Sequence, residues 1–229
     1  TIMGRYVYIA CCTPFQRCQL EVSAGSCTWT VPSSVYSATF ELWGAGGASG
    51  AKCCCYCQNA TGGFPGGYAL KTISVTPGDT YTICAGVGGA MYYCSPTAIG
   101  CSGSTSYVTG NGLSNLCASG GTGGCSIYGS CGWTCVCNGG VACGGDINIM
   151  GGYNWMKTSS NLFCHFSAGG GAPFGGGESY TQGIHCCPYF TYGWTGKFPG
   201  GGGAGGSNCC CDCCNCNGAG GHGLVRVTF

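Results

Sequence analysis

Apolar and polar positions alternate along this chain in short runs separated by glycine. Arg5–Ala10 (RYVYIA), Cys27–Val31 (CTWTV) and Tyr36–Trp43 (YSATFELW) carry the two-residue period of half-buried strands. The last of these places Ala38, Phe40 and Leu42 on one face. Tyr68–Val75 (YALKTISV) and Thr80–Ala85 predict two more strands, and Thr76-Pro77-Gly78-Asp79 predicts a tight turn joining them as a hairpin. Ser104–Thr109 and the closing Leu224–Phe229 (LVRVTF) complete the set. The runs are rich in Val, Ile, Thr and aromatic residues, as strands are. No stretch holds a helical period beyond one or two turns. The expectation is an all-β fold, a small sheet or sandwich scaffold with almost no helix.

Glycine tracts punctuate the strands at 44–50, 62–67, 86–89, 120–124, 139–145, 169–177, 200–206 and 218–223. Two conformations fit them. One is flexible loop. The other is polyglycine II, an extended helix of three residues per turn without internal hydrogen bonds. Only glycine lets such backbones approach closely enough to bond to one another, and buried backbone groups need partners. Recurrence through the whole chain favours a lattice of tracts over linkers. The inserts at 91–100, 126–138, 152–166, 178–198 and 208–217 read as irregular, Cys-rich loops on this scaffold.

Composition sharpens the picture. The 229 residues include 49 Gly and 26 Cys. Glycine loses the most backbone entropy on folding, so cross-links, close backbone packing or partner chains must compensate. Aromatic residues at 12% argue against a disordered linker. The absence of a strict Gly-X-Y period excludes collagen. Seven basic residues balance six acidic ones. Arg5, Arg17, Lys52, Lys71, Lys157, Lys197 and Arg226 are scattered, so nucleic acid is not an expected partner. No run approaches the roughly 20 apolar residues of a membrane-spanning helix, and no secretory leader is expected. A chain with 6% charged residues is best kept in solution as part of an assembly.

The order of the phrases is more specific than any one of them. Trp29-Thr30-Val31-Pro32 leads to Phe40-Glu41-Leu42-Trp43-Gly44-Ala45-Gly46-Gly47. Then follow Gly66-Gly67-Tyr68-Ala69-Leu70-Lys71-Thr72-Ile73-Ser74-Val75-Thr76-Pro77-Gly78, Tyr81-Thr82-Ile83 and finally Gly218-Ala219-Gly220-Gly221-His222-Gly223-Leu224-Val225-Arg226-Val227. This series resembles the glycine-rich domain of bacteriophage tail-fibre and other virion proteins. The cysteine density is closer to Cys-rich structural proteins of marine cyanophages. The resemblance covers roughly residues 26–229. It implies a β scaffold whose last strand pairs with early ones, and a virion role, often in host recognition. Residues 1–25 fall outside the pattern and are expected to be an attachment segment or an extra strand.

Cysteine clusters at Cys53-Cys54-Cys55-x-Cys57, at Cys131, Cys135, Cys137 and Cys143, and at Cys209-Cys210-Cys211-x-Cys213-Cys214-x-Cys216, with Cys186-Cys187 between. These are the candidate disulfide residues. If the terminal strand lies beside Tyr36–Trp43, the first and last clusters become neighbours. A bridge between them would close a loop of about 150 residues, worth at most roughly 5 kcal/mol. Buried free thiols and thiolate metal clusters are the alternatives. Zinc-ribbon C-x2-C pairs at set spacing and ferredoxin spacing are absent, so no metal or other cofactor is assigned.

No catalytic constellation stands out. His165 beside Cys164 and His185 beside Cys186 are adjacencies that so much cysteine produces by chance. Asp146, Glu178 and Asp212 are isolated, and neither a G-x-S-x-G elbow nor a Walker loop occurs. The expectation is a non-enzymatic structural protein of a tailed-phage particle, exposed on its surface and acting as a tail-fibre or tail-tip adhesin. A capsid or tail decoration protein without a receptor, and a thiolate metal-binding protein, are the rivals. Expected partners are other virion proteins, further copies of the chain, and a host-surface glycan or protein. Candidate receptor contacts are the insert aromatics Tyr92, Tyr93, Trp133, Tyr153, Trp155, Tyr189, Phe190, Tyr192 and Trp194, with a wedge role in the core as the alternative.

Overall fold

In the computed structural model the alternating runs become two antiparallel sheets that share one core. The structure describes residues 7–9, 17–50, 59–91, 99–127, 138–153, 155–158, 165–177, 179–182, 193–205 and 218–229. The larger sheet has the order β1 (Val7–Ile9), β2 (Gln19–Ser23), β16 (Leu224–Thr228), β4 (Ser37–Trp43), β6 (Tyr68–Ser74) and β12 (Ile147–Ile149). The smaller has the order β11 (Ala142–Cys143), β9 (Leu113–Ala118), β8 (Ser106–Gly110), β7 (Thr80–Ala85) and β3 (Gly25–Thr30). Among the described residues there is no helix. The protein is an all-β, glycine-rich, cysteine-containing two-sheet domain.

The core sets Leu20, Val22, Ala38, Phe40, Leu42, Ala69, Val225 and Val227 of one sheet against Trp29, Tyr81, Ile83, Val108, Leu113 and Leu116 of the other. Phe40 is fully buried, with its ring 5.9 Å from Trp29 edge-on and 5.4 Å from Tyr81. The last strand pairs with β4 on one side, Val227 opposite Phe40, and with β2 on the other, Val227 opposite Leu20.

Three features correct or narrow the sequence expectation. First, β6 and β7 do not form a hairpin. Each pairs with strands of its own sheet, so Thr76–Asp79 is an arch crossing the sandwich. Gly78 takes φ +90° there and donates its N–H to Val31 O, which ties the arch to the end of β3. The two strands bury opposed faces across the core, and a hairpin would have left one of those faces in water. Second, of the two alternatives for residues 1–25, the described part is strand: β2 lies between β1 and β16 in the larger sheet. Third, the inserts read as irregular contribute a three-stranded sheet of β13 (Trp155–Thr158), β14 (His165–Gly169) and β15 (Ser179–Gln182). A two-stranded ladder joins β5 (Asn59–Ala60) to β10 (Ser126–Ile127).

Beyond the sandwich the strands continue into glycine. β4 runs into 44–50, β7 into 86–91 and β9 into 119–125, while 61–67, 99–104 and 218–223 run back into β6, β8 and β16. These tracts hydrogen-bond to one another with a three-residue period. Along the central tract, the N–H groups of Gly44, Gly47 and Gly50 donate to Gly67, Phe64 and Thr61. Those of Ala45 and Ala48 donate to Ser104 and Cys101, and those of Gly46 and Ser49 to Gly221 and Gly218. Its carbonyls accept from Gly89 at Gly46, from Gly203 at Gly47, and from Gly121 and Gly124 at Ala45 and Ala48. The central tract is thus surrounded by neighbours on all sides, and each residue in turn addresses a different one. That rotation is the signature of a threefold extended helix, the polyglycine II lattice rather than flexible loop. The close approach explains the composition: a Cβ on Gly47 would lie against Thr122 O, and one on Gly63 against Gly47 O. Ser106 seals the junction of sandwich and lattice, its fully buried hydroxyl donating to Trp43 O at 2.6 Å and accepting from Gly86 N at 2.9 Å.

Candidate functional site

The lattice gives the fold two unlike ends. At the sandwich end, Cys18 and Phe229 exchange both backbone hydrogen bonds. The other end lies beyond the lattice. Gly50 donates to Thr61 O, Thr61 to Cys125 O, and Ser49 to Gly218 O, so the residues flanking 51–58, 128–137 and 206–217 gather there. Met91 and Ile99, exposed, flank 92–98 beyond the same tracts.

The sequence condition for neighbouring first and last cysteine clusters is met up to that point, because β16 lies beside β4 and Ser49 touches Gly218. The clusters themselves, Cys53, Cys54, Cys55 and Cys57, Cys131, Cys135 and Cys137, Cys186 and Cys187, and Cys209, Cys210, Cys211, Cys213, Cys214 and Cys216, lie outside the described residues. Of the candidate disulfide residues only Cys143 is described; it is a thiol on β11 facing Cys117 of β9. Among the described residues no group of three His, Cys, Asp or Glu side chains converges on a common point.

Among the candidate contact aromatics, Tyr153 is 78% exposed and Trp194 68% exposed, so neither wedges into the core. Trp155 begins β13. Tyr92, Tyr93, Trp133, Tyr189, Phe190 and Tyr192 lie outside the described residues. Four exposed rings are not among those candidates: Tyr36 and Tyr107 on strands or their flanks, and Phe174 at 75% and Phe198 at 53% on or beside the glycine tracts. Phe174 was masked by its setting in a glycine tract. It takes φ +50°, a left-handed conformation that costs a bulky residue energy, and it sits in the turn where Ala172 N bonds Gly176 O. Its edge packs on Tyr68 at 5.1 Å, and Trp43 Nε1 donates to Pro173 O, which together hold the turn against the larger sheet. Gly176 N donates to Pro199 O, bringing Phe198 alongside. The flank of the lattice therefore presents Phe174 and Phe198 from adjoining segments, with Tyr153 next to the same 170–171 backbone.

The outer face of the larger sheet carries a charged cluster beside that flank. Arg226 Nε meets Glu21 Oε1 at 2.9 Å, its guanidinium lies 3.6 Å from Glu41 Oε2, and its carbon sits 5.4 Å from the Trp43 ring centroid. Tyr68 donates to Glu41 Oε1 at 3.0 Å. Burial, and then the Glu41 hydrogen bond and charge, raise the Tyr68 phenol well above the ordinary tyrosine value. Above a pH of about 10 the unfolded chain therefore releases this proton while the folded protein keeps it, and stability falls as pH climbs. Urea midpoints at pH 9 and pH 11 should show that fall, and Tyr68→Phe should make it shallower. An equal fall in the variant would remove Tyr68 as its source. His222, the histidine of the closing tract, accepts the Gly88 N–H at Nδ1 and serves the lattice. The side chain of His165 and all of His185 lie outside what is described.

A two-sheet β domain continued by a lattice of glycine tracts defines the class. The family follows from the match of a glycine-rich domain model to residues 21–229: the chain belongs to that family. The match begins inside β2, in keeping with the place of that strand in the sheet. No curated protein matches the chain.

Proposed function

We propose that this protein is a non-enzymatic structural component of a tailed-phage particle, at a tail fibre or tail tip, that binds the host surface. The observation that carries the reading is the polarity of the fold. A cross-bonded lattice of tracts separates a sandwich end from an end where the described residues flanking 51–58, 128–137 and 206–217 converge, and rigid scaffolds that display loops are a common basis for recognition. The ordered strand and glycine phrases, which resemble those of virion glycine-rich domains, supply the particle context. In this reading the sandwich side faces other virion proteins or further copies of the chain, and the inserts and flank face a glycan or protein of the host. Tyr153, Phe174, Trp194 and Phe198 suit such contacts, since exposed rings offer large area at small entropic cost.

Particles carrying Trp194→Ala, Phe174→Ala, or a replaced Tyr189–Trp194 insert test it. Adsorption to host cells should fall about tenfold or more for at least one of them, the loss expected for an aromatic anchor, with particle yield unchanged. Unchanged adsorption for all three would refute the adhesive role and leave a decoration protein in its place.

A further inference from the structure

We propose that Cys117 and Cys143 form a redox pair that closes into a disulfide tying the edge strand β11 to β9. The two residues are register partners on adjacent antiparallel strands, and their Sγ atoms lie 2.7 Å apart. Directly opposed residues of such a ladder have Cα atoms about 4.5–5.5 Å apart, inside the range of about 4.4–6.8 Å that a disulfide spans. Closure therefore needs no movement of the strands. The pair also sits where a bond has an effect. β11 is two residues long and forms the edge of its sheet. A bond there fastens this short edge strand to its single sheet neighbour, β9.

The chemistry balances with a small-molecule disulfide of the glutathione class as oxidant. Cys143 is exposed, whereas burial, then the hydrogen bond and charge of Cys143, push the Cys117 thiol up to about 11. Cys143 is thus the first nucleophile. Its thiolate attacks one sulfur of the oxidant, the S–S bond of the oxidant breaks, and one small thiolate leaves. In the mixed disulfide the Cys143 sulfur itself is neutral, which removes its side-chain hydrogen bond and its charge from Cys117 and leaves burial, which raises that thiol, and the Cys143 backbone bond, which lowers it. The Cys117 thiolate then attacks Cys143 Sγ and expels the second small thiolate. Two protein thiols lose two protons and two electrons, and the oxidant is reduced to two thiols.

The test is to hold the native full-length chain with glutathione disulfide, alkylate what remains free, and map peptides by mass. No Lys or Arg lies between Lys71 and Lys157, so chymotrypsin is the protease, with Tyr128 and Trp133 separating the two cysteines. The expected product joins the Cys117 and Cys143 peptides, two hydrogens lighter than their sum, and dithiothreitol reverses it. Oxidation should also raise the melting temperature, and that rise should be smaller in Cys117→Ser, whose Cys143 should remain as the glutathione adduct. Cys143 bonded to a different cysteine, a stable adduct on Cys143 of the unmodified chain, or alkylation of both residues would each overturn the proposal. The peptide map of the unmodified chain decides the matter even if the variant does not fold.

Discussion

Gly47→Ala should destabilise the protein by about 4 kcal/mol, a large part of the 5–15 kcal/mol that holds an ordinary domain together. The residue has an ordinary backbone conformation, so the cost is one of space. A Cβ at this position meets Thr122 O, Thr122 C and Gly123 N, none of which can rotate away as a side chain would. Moving that tract disturbs the bonds from Gly121 to Ala45, from Gly124 to Ala48 and from Phe64 to Thr122, each worth about 1 kcal/mol. Two other glycines calibrate the result. Gly112 has open space around its Cβ position but φ +75°, so Gly112→Ala should cost only the conformational strain of about 1–2 kcal/mol. Gly177 has neither constraint beyond the flexible Lys197 side chain 3.8 Å away, and Gly177→Ala should be neutral or stabilising by up to about 1 kcal/mol. Urea unfolding of the three variants gives the ranking. If Gly47→Ala behaves like Gly177→Ala, the tracts are not close-packed.

Phe40→Ala should cost a comparable 3–5 kcal/mol, by the opposite route of an empty space. Phe40 has no exposed surface and contacts both Trp29 and Tyr81, so the ring sits where the sheets meet and its neighbours cannot collapse into the gap. Phe40→Leu should lose less, about 1–2 kcal/mol. The larger variant effect also reports on cooperativity. The strands of the sandwich are the same segments that become lattice, and Ser106 bonds across the junction. Loss of core packing should therefore raise amide exchange at Gly46 and Gly47 together with exchange at Ile83. Tract amides that stay protected in Phe40→Ala would make the lattice a separate cooperative unit.

The elements legible in the sequence are those whose burial keeps to a strict period. Ala38, Phe40 and Leu42 announce β4, and Val225 and Val227 announce β16. β9 escaped notice for a physical reason. Val108 pairs with Leu116 and Gly110 with Leu113, so two residues of β9 oppose one of β8 in a bulge. The bulge puts Leu113 and Leu116 on the same face at a spacing of three, which an alternation test rejects. β2 keeps a two-residue period as well, but with only two inward apolar positions, Leu20 and Val22, the run is too short to stand out. At the flank, Phe174 was hidden because its exposure depends on Pro173 being held by Trp43, a contact across 130 positions of sequence.

By itself the sequence determined the class of structure: strands from alternation, and close backbone packing from glycine recurring throughout the chain. Those are local or compositional properties, set by side-chain period and by the presence or absence of a Cβ. Only the tertiary structure decided which strands pair, that Thr76–Asp79 arches between sheets, that the tracts bond in threefold rotation, and that Cys117 faces Cys143. Each of these depends on which distant segments bury one another. Hydrophobic burial is non-directional, so the choice among partners is made only when all the segments are packed at once.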